Sequence, residues 1–280
     1  MIQDITPHCL NNAYQNEYPG ESSYLLWFEG RSCLLSHTEG KISFPTFQDL
    51  KKDRERISGE AIYLFSIDNE KYFLVREAPE VGEEFAWQDI QLFRTALPQY
   101  RAYAGVTAFS LFNWYGSHQF CGRCGQRMKH SDKERMVYCE HCKQVEYPKI
   151  SPAVIVGVTN GEKLLMSKYA NRDYTRYSLL AGFAEIGETI EETIRREVME
   201  EVGLKVKNPT YYKSQPWGFS DTLLLGFFAE LDGDDTITLD EEELAVAEWF
   251  TRENIPANDS NISLTSEMID YFRNNDIPPA

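Results

Sequence analysis

The chain has 280 residues, enough for one large domain or for two to three smaller ones. Hydrophobic residues make up 42% and aromatic residues 13% of the sequence, which excludes an intrinsically disordered protein. The formal net charge of −16 disfavours general nucleic-acid binding, because an acidic surface repels a phosphate backbone over long range.

The amino terminus shows no targeting signal. MIQDITPHCL lacks the charged start and apolar run of a signal peptide. The apolar runs, such as LLLGFFA at 223–229, are too short to cross a bilayer. We therefore expect a soluble, cytoplasmic protein without a membrane partner.

Residues 1–115 predict an N-terminal α/β domain. Their strand-like runs are punctuated by Gly, Asn and Asp: SYLLWFEG, SCLLS, EAIYLFSID and KYFLVRE. Apolar residues at helical spacing then predict a helix from about 88 to 115. Cys9 and Cys33 have no partner at metal-ligand spacing, so we expect both to be buried as small apolar residues. This region contains no recognisable catalytic motif.

Residues 116–147 predict a small zinc ribbon. Two Cys-x-x-Cys pairs, CGRC and CEHC, are separated by fourteen residues. Each pair can place two thiolates on one turn, and two turns complete a tetrahedral zinc shell. The pattern favours one structural Zn²⁺ per chain over a redox pair or unrelated thiols, and it leaves His118 and His141 outside the shell. The predicted ligands are Cys121, Cys124, Cys139 and Cys142.

Residues 148–280 predict a mixed-sheet α/β domain. SPAVIVGVT, KLLMSKY and YSLLAGF are typical of strands, and NGEK between the first two has the composition of a turn. An acidic helix follows. After it come the strand-like runs TYYKSQPW, TLLLGFFAEL and AVAEWFT, and then a C-terminal helix around SLTSEMIDYFRNN.

The acidic helix has clear sequence boundaries. Thr189 and Glu192 have the spacing of an N-terminal capping box, and Gly203 is a natural C-terminal stop. Between them an apolar residue recurs every four positions and predicts a buried stripe, formed by Ile190, Ile194, Val198 and Val202.

Three glutamates of this helix form an unusual group. Glu197, Glu200 and Glu201 fall within one arc of about 100°, and that arc borders the apolar stripe instead of opposing it. Like charges beside apolar surface are unfavourable unless something neutralises them. Arg195 and Arg196 or a hard divalent cation could do so, since Mg²⁺ and Mn²⁺ prefer oxygen ligands. These residues alone leave a metal site and a solvated helix face as alternatives.

The stretch GFAEIGETIEETIRREVMEEVGL, residues 182–204, resembles the Nudix box, Gly-x5-Glu-x7-Arg-Glu-aliphatic-x-Glu-Glu-x-Gly-aliphatic. The nine specified positions all match: Gly182, Glu188, Arg196, Glu197, Val198, Glu200, Glu201, Gly203 and Leu204. The resemblance implies a Nudix α/β/α sandwich that hydrolyses nucleoside diphosphate derivatives with Mg²⁺ or Mn²⁺. It implies metal binding and catalysis by Glu197, Glu200 and Glu201, with the carbonyl of Ala181 and the carboxylate of Glu243 as further metal ligands. The neighbouring Glu241 and Glu242 leave the register at Glu243 open, and a solvated acidic turn is the alternative there. Glu188 and Arg196 would form a structural pair.

The zinc ribbon, the linking segment YPKISP and the run SQPW at 214–217 together resemble the NADH pyrophosphatase subfamily. The later motif of that subfamily is Ser-Gln-Pro-Trp-Pro-Phe-Pro-x-Ser, whereas this chain has SQPWGFSDT. Losing two prolines is expected to loosen this loop. The resemblance implies substrate contacts from Glu134, Tyr147 and Phe183, and from the loop residues Gln215, Pro216, Trp217, Gly218, Phe219, Ser220, Asp221 and Thr222.

The resemblance thus implies cleavage of NADH- and NAD-type dinucleotides to AMP and nicotinamide mononucleotide, and also of NAD-capped RNA ends. It implies that two chains form a homodimer. ADP-ribose or another nucleoside-diphosphate-linked compound is the alternative substrate. A nucleotide-sensing or nucleic-acid-binding module is the alternative class of function, which the intact box glutamates and the acidic net charge disfavour.

Overall fold

The structure is a computed structural model that describes residues 1–77, 80–170, 176–257 and 262–274. The chain divides into two compact units. One contains residues 2–149 together with residues 218–221, and the other contains Met1, residues 150–217 and the chain from residue 222 onward. Within the described ranges, every helix is too short or too polar to cross a membrane.

The unit of residues 2–149 begins with two small sheets. The first has the strand order β1-β6-β7-β2, and the second has the order β3-β4-β5 with β8 also paired to β4. The elements are β1 (Leu10–Asn11), β2 (Tyr24–Leu26), β3 (Phe28–Glu29), β4 (Ser32–Thr38), β5 (Lys41–Ser43), α1 (Arg54–Glu60), β6 (Ile62–Ile67), β7 (Glu70–Leu74), β8 (Ala86–Asp89) and α2 (Gln99–Ser117). The predicted α/β character of this region is confirmed.

The helix predicted from about 88 to 115 begins later than expected. Residues 86–89 form β8, a short 3-10 helix spans Ile90–Arg94, and α2 starts at Gln99. Pro98 is the N-cap residue of α2. A proline disfavours helical backbone in the residue before it and has no N–H to donate, so the helix cannot extend back through Pro98.

The two isolated cysteines differ in burial. Cys33 is fully buried, as predicted, whereas Cys9 is exposed, so the prediction for Cys9 is wrong. The reason lies in its surroundings: the backbone N–H of Cys9 donates to Asp68 Oδ1 at 3.0 Å, and His8 beside it pairs with the same carboxylate at the surface.

The remainder of this unit is the predicted ribbon. Three two-residue strands form a sheet in the order β11-β10-β9. They are β9 (Lys129–His130), β10 (Val137–Tyr138) and β11 (Val145–Glu146). Strands this short bury little apolar surface, so a bound metal ion would contribute much of the ribbon's stability.

The other unit is built on a mixed sheet, as predicted. Its strand order is β15-β16-β12-β13-β17, with β14 also paired to β12. β12 and β16 are parallel and the remaining pairs are antiparallel. The elements are β12 (Ser151–Asn160), β13 (Lys163–Tyr169), β14 (Leu180–Phe183), α3 (Ile190–Val202), β15 (Val206–Trp217), β16 (Thr222–Leu231), β17 (Leu244–Thr251) and α4 (Leu264–Asn274).

Helices cover both faces of this sheet, which confirms the predicted α/β/α sandwich. Successive residues of β12 point to opposite faces. Val154 and Val156 share one buried cluster with Ile194 of α3, whereas Ile155 shares the other cluster with Met268 of α4. The predicted C-terminal helix corresponds to α4, and its last predicted residue, Asn275, lies outside the described residues.

Both predicted ends of α3 are confirmed. The N–H of Thr189 donates to Glu192 Oε2 at 2.8 Å, and the N–H of Glu192 donates back to Thr189 Oγ1 at 3.3 Å. Gly203 caps the other end with a φ of 69°, a left-handed conformation that favours glycine. The helix that carries the glutamate group is therefore held at both ends.

Candidate functional site

The three glutamates of α3 differ in burial. Glu197 is 9% exposed and Glu201 is 3% exposed, whereas the side chain of Glu200 is 57% exposed. Burial raises the pKa of Glu197; Arg196 opposes this shift, while the charges of Glu200 and Glu243 reinforce it. Two carboxylates thus lie in the packed layer beneath α3, where a purely solvated helix face would not place them.

Arg196 connects the helix to the loop before it. Its Nε and Nη2 donate to the two carboxylate oxygens of Glu188 at 2.6 and 2.9 Å. Its Nη1 donates to Glu197 at 2.8 Å and to Glu200 at 2.9 Å, and Nη2 also donates to the carbonyl of Phe183 at 2.9 Å. The predicted Glu188–Arg196 contact is confirmed, and hydrogen bonding from Arg196 lowers the pKa of Glu188 to about 2.

The backbone of β14 approaches α3 closely. A Cβ atom placed on Gly182 would lie 1.9 Å from Cδ of Glu197, so only glycine fits at this position. Ala181 and Phe183 on either side pair with β12, opposite Ile155 and Ala153. The group that the backbone approaches at Gly182 is therefore the carboxylate of Glu197, a residue of the box.

Glu243 lies in a turn that is attached to the end of α3. The N–H of Asp240 donates to the carbonyl of Glu201 at 3.0 Å, and the N–H of Glu243 donates to the carbonyl of Asp240 at 3.2 Å. The charge of Glu243 contributes to the raised pKa of Glu197. These contacts join the turn of Glu243 to α3, and the role of Glu243 as a metal ligand stays a prediction.

The donor chemistry of this group fits a hard divalent cation. Glu197, Glu200, Glu201 and Glu243 offer only carboxylate oxygens, the ligands that Mg²⁺ and Mn²⁺ prefer. Their oxygen atoms are less tightly gathered than the ribbon thiolates, because in the described residues only the cysteine group has all its ligand atoms within 4.8 Å. Two of these carboxylates, Glu197 and Glu200, share the Nη1 donor of Arg196.

The ribbon cysteines form a preformed thiolate group. All four sulfur atoms lie within 4.8 Å of one another, with Cys121 and Cys142 3.4 Å apart and Cys124 and Cys139 3.5 Å apart. Zn–S bonds of about 2.3 Å in a tetrahedron would separate the sulfurs by about 3.8 Å. The arrangement therefore fits a zinc ion with four thiolate ligands and no open position.

The two halves of the thiolate group have the same backbone geometry. The N–H of Gly125 donates to the carbonyl of Cys121 at 2.8 Å, and the N–H of Lys143 donates to the carbonyl of Cys139 at 3.0 Å. Both donors are left-handed, with φ of 73° for Gly125 and 62° for Lys143. A glycine thus occupies the left-handed position of the first turn, and a lysine occupies it in the second turn.

Two predicted substrate contacts lie together in the ribbon. The hydroxyl of Tyr147 donates to Glu134 Oε2 at 3.5 Å, and both residues are exposed. Phe183, on β14 of the other unit, is 55% exposed. All three side chains are accessible to a ligand, and their roles in binding stay predictions.

The SQPW segment contains one residue with a structural role. Gln215 is fully buried, its Nε2 donates to the carbonyl of Ile262 at 2.8 Å, and its Oε1 accepts from the N–H of Leu264 at 2.7 Å. Gln215 therefore fixes the chain at the start of α4. Its neighbour Pro216 is exposed, and Trp217 is half-buried at the end of β15.

The loop that follows, residues 218–221, is fixed by contacts that the motif does not reveal. Ser110 Oγ donates to Asp221 Oδ1 at 2.6 Å and lies 3.2 Å from the carbonyl oxygen of Gly218. The guanidinium of Arg94 lies 4.6 Å from the centre of the Phe219 ring. These contacts tie the loop to α2 and to Arg94, and the expected loosening through loss of two prolines stays a prediction. Ser110 sits in a helix more than a hundred residues before the motif, and no sequence signal identifies it.

The two ends of this motif differ in exposure. Ser220 is exposed, whereas Thr222 at the start of β16 is 5% exposed. Thr222 retains the hydroxyl of the subfamily's serine, but it lies largely inside the protein.

Comparison with known proteins finds two family matches. Residues 149–271 match the NUDIX domain, and residues 117–147 match the NADH pyrophosphatase zinc ribbon domain. The chain is 41% identical over 169 residues to "NAD-capped RNA hydrolase NudC" of Pectobacterium atrosepticum, covering 60% of this chain and 61% of the relative. It is 42% identical over 146 residues to the protein of the same name from Erwinia tasmaniensis, covering 52% of this chain and 56% of the relative.

The chain therefore matches less than two thirds of the length of these curated relatives. Among solved structures, a NUDIX hydrolase from Nitrosomonas europaea aligns with a TM-score of 0.47 and 23% identity. That alignment covers 55% of this chain and 90% of the other.

Proposed function

Because residues 149–271 form a Nudix domain and residues 117–147 form an NADH pyrophosphatase zinc ribbon domain, we propose that the chain is a metal-dependent pyrophosphate hydrolase. Its substrates would be NADH- and NAD-type dinucleotides, and its products AMP and the reduced or oxidised nicotinamide mononucleotide. The proposal rests chiefly on one observation: Glu197 and Glu201 are buried on a helix fixed at both ends, next to a backbone position that only glycine can occupy.

Glu197, Glu200, Glu201 and Glu243 would hold the divalent cations, with the carbonyl of Ala181 as a further ligand. We propose Mg²⁺ or Mn²⁺, because the side-chain donors are all carboxylate oxygens. When bound, such ions supply positive charge that offsets a pyrophosphate and lowers the pKa of water at the site.

The protein contributes positioning. Arg196 ties α3 to Glu188 and to the carbonyl of Phe183, so the loop and the helix keep a fixed relation. A fixed constellation lowers the barrier because little reorganisation is needed when charge develops. The same arginine partly neutralises Glu197 and Glu200 in the absence of cations, which lets the carboxylates remain near one another.

The proposed substrate contacts supply flat and polar surfaces. The exposed Phe183 ring offers a stacking surface for a base or a nicotinamide, worth about 0.5–1.5 kcal/mol beyond burial. Tyr147 and Glu134 form a hydroxyl–carboxylate pair that can contact sugar hydroxyls. Stacking alone does not choose among nucleotides, so discrimination between NADH and NAD would come from polar contacts.

We propose two further properties from the resemblance and the relatives. NAD-capped RNA ends would be substrates, as the names of the Pectobacterium and Erwinia relatives state for those proteins. The chain would act as a homodimer in the cytoplasm. Exposed aromatic residues of the ribbon, Phe120 at 63% and Tyr147 at 56%, are compatible with a second chain covering this surface.

The decisive experiment is a hydrolysis panel with Mg²⁺ and with Mn²⁺ over NADH, NAD, ADP-ribose, FAD and diadenosine polyphosphates, with products identified by mass. We expect NADH to give AMP and reduced nicotinamide mononucleotide. If only ADP-ribose or another nucleotide is cut, the subfamily assignment is wrong and the pyrophosphatase assignment remains. If no compound is cut under either metal, the proposed hydrolase function is wrong.

Two glutamate variants locate the chemistry. Glu201→Gln keeps the shape of the side chain and removes one charge, so we expect a loss of at least ~10²-fold in kcat/KM with the fold retained. Glu191→Gln is the matched control, since Glu191 is an exposed residue of the same helix. Equal activity of the two variants would exclude the proposed role of Glu201.

A further inference from the structure

A cavity lies within the unit of residues 2–149. Its volume is about 470 Å³, a size typical of small-molecule sites. Its wall combines the N-terminal segment, the region between α1 and β6, the end of β7 and the ribbon. The residues that matter below are Tyr14, Tyr63, Arg76, Arg127, His130 and Asp132.

Arg76 is held in place by a neutral partner. Its Nη2 lies 2.9 Å from Nε2 of His130, and the His130 ring stacks on Tyr115 at 4.9 Å with an interplanar angle of 8°. A guanidinium can only donate, so this nitrogen of His130 must be the acceptor and the ring must be neutral. Burial and the charge of Arg76 lower the pKa of His130 to about 4, consistent with that assignment. Arg76 is therefore oriented without losing its charge.

A second arginine faces the same cavity. In the described part of the chain, neither Arg76 nor Arg127 has a carboxylate within 4 Å, although the chain carries a net charge of −16. Burial lowers the pKa of Arg76, and the charge of Arg127 lowers it further, whereas Tyr115 and Glu60 oppose the shift. Two cations held near each other are mutually unfavourable, and an anion bound between them would remove that repulsion.

The acids of the cavity wall are mostly engaged elsewhere. Glu17 pairs with Lys71, and Glu60 and Glu77 both lie within 4 Å of Arg56. Asp132 is the wall carboxylate for which the described residues provide no ion pair. Glu60 and Glu77 share one arginine, and the charge of Glu60 also acts on Arg76. In the described residues Arg76 and Arg127 nevertheless have no carboxylate within 4 Å, which leaves both able to contact a small anion.

Tyr63 supplies an independent sign of a ligand. Its side chain lines the cavity and is 3% exposed, and its hydroxyl has no hydrogen-bond partner in the described residues. Buried hydroxyls are normally hydrogen-bonded, because leaving one unpaired is unfavourable. A bound molecule with acceptor oxygens would satisfy it.

We propose that this cavity binds a small phosphate ester, with Arg76 and Arg127 holding the phosphate and the Tyr14 and Tyr63 side chains lining the space for the remainder. Arginine suits this role because its planar fork can donate two parallel hydrogen bonds to phosphate oxygens. The site is independent of the proposed hydrolase chemistry, since none of its residues belongs to the α3 group or to the thiolate group.

The test is isothermal titration calorimetry on the zinc-loaded full chain, without Mg²⁺ or Mn²⁺. The probes are inorganic phosphate, AMP and a ten-nucleotide RNA with a 5′-hydroxyl. We expect AMP and phosphate to bind, and binding to weaken with salt. Arg76→Gln and Arg127→Gln should each weaken binding by about tenfold or more, since hydrogen bonds to charged groups are the strong ones.

Two controls separate this cavity from other sites. Arg123→Gln removes the same charge from an exposed ribbon residue outside the cavity and should bind like the wild type. Lys133→Gln removes a charge from a second exposed ribbon residue outside the cavity and should also leave AMP binding unchanged. Arg127 is exposed, so its variant is expected to fold, which circular dichroism and zinc content would verify.

Three outcomes would overturn the proposal. AMP and phosphate could fail to bind at millimolar concentration. The two cavity variants could bind as tightly as Arg123→Gln does. The RNA could bind through Arg76 and Arg127 while AMP does not, which would indicate a nucleic-acid surface instead of a small-ligand site.

Discussion

Gly182 and Glu197 are in direct contact: a Cβ atom on Gly182 would lie 1.9 Å from the carboxylate carbon of Glu197. The side chain of Glu197 therefore requires a glycine at position 182, fifteen residues earlier in the box motif. This contact connects β14 to α3 at the point where the proposed metal ligands lie, and it determines where the carboxylate of Glu197 can sit.

Gly182→Ala is expected to displace Glu197. The added methyl group must push the carboxylate away from β14, so we expect kcat/KM to fall by about 10²-fold or more, since small misplacements of reacting groups are costly. The free energy of unfolding should fall by about 1–3 kcal/mol through overpacking. Steady-state kinetics and thermal unfolding measure the two effects. Gly116→Ala is the control, because a Cβ atom at Gly116 meets no atom within 4 Å. Wild-type activity in Gly182→Ala would refute the contact between Gly182 and Glu197.

Arg196→Lys tests the bracing role of the arginine. Lysine keeps the charge, but its single ammonium group cannot reach Glu188, Glu197 and the carbonyl of Phe183 together. We expect a loss of about 10–100-fold in activity, the range typical of residues that orient metal ligands, with helix content unchanged.

Arg195→Lys is the matched control for this substitution. The guanidinium of Arg195 is exposed and donates to the carbonyl of Glu191 in its own helix. Kinetics as a function of Mn²⁺ concentration should show weaker apparent metal affinity for Arg196→Lys alone. Equal effects of the two substitutions would mean that Arg196 contributes charge only.

Sequence patterns predicted the parts of the fold that local chemistry dictates. The capping box at Thr189, the stop at Gly203, the thiolate group and the mixed sheet all follow from short-range residue types and spacing. The errors have local causes as well: Pro98 delays α2, and Asp68 keeps Cys9 at the surface.

Long-range contacts could not be predicted in the same way. Ser110 meets Asp221 across more than a hundred residues, and Gln215 is used at the start of α4 although its motif suggests a ligand contact. Arg76 and His130 likewise come from different parts of the chain. Such pairs depend on tertiary packing, which leaves no periodicity or spacing in a single sequence.

Zinc content should depend on the ribbon cysteines alone. We expect one Zn²⁺ per chain by elemental analysis. Cys124→Ser should lower the zinc content and lower the midpoint of thermal unfolding, because metal binding contributes to the folding of so small a ribbon. Cys9→Ser, an exposed cysteine outside the thiolate group, should keep both values. Disulfides without metal in protein purified under reducing conditions would contradict the zinc site.

The final prediction concerns the loop of residues 218–221. A Cβ atom on Gly218 would lie 2.6 Å from the carbonyl oxygen of Val106, which belongs to the backbone of α2 and cannot move aside easily. Gly218→Pro would restore the residue of the resembled motif. We nevertheless expect it to lower the free energy of unfolding by about 1–3 kcal/mol, as overpacking does.

Ser110→Ala should weaken the same contact from the other side. It removes the hydroxyl that donates to Asp221 and should lower the free energy of unfolding by about 1–2 kcal/mol. Because both substitutions disturb one contact, the double variant should be destabilised by less than the sum of the single effects. Denaturant unfolding of the wild type, the two single variants and the double variant measures the coupling energy.

Ser117→Ala is the control. In the described residues the Ser117 hydroxyl bonds with Asn113, Trp114 and His118, so this substitution should combine additively with Gly218→Pro. Additive behaviour of the Ser110 pair as well would show that the loop does not depend on Ser110 for its position.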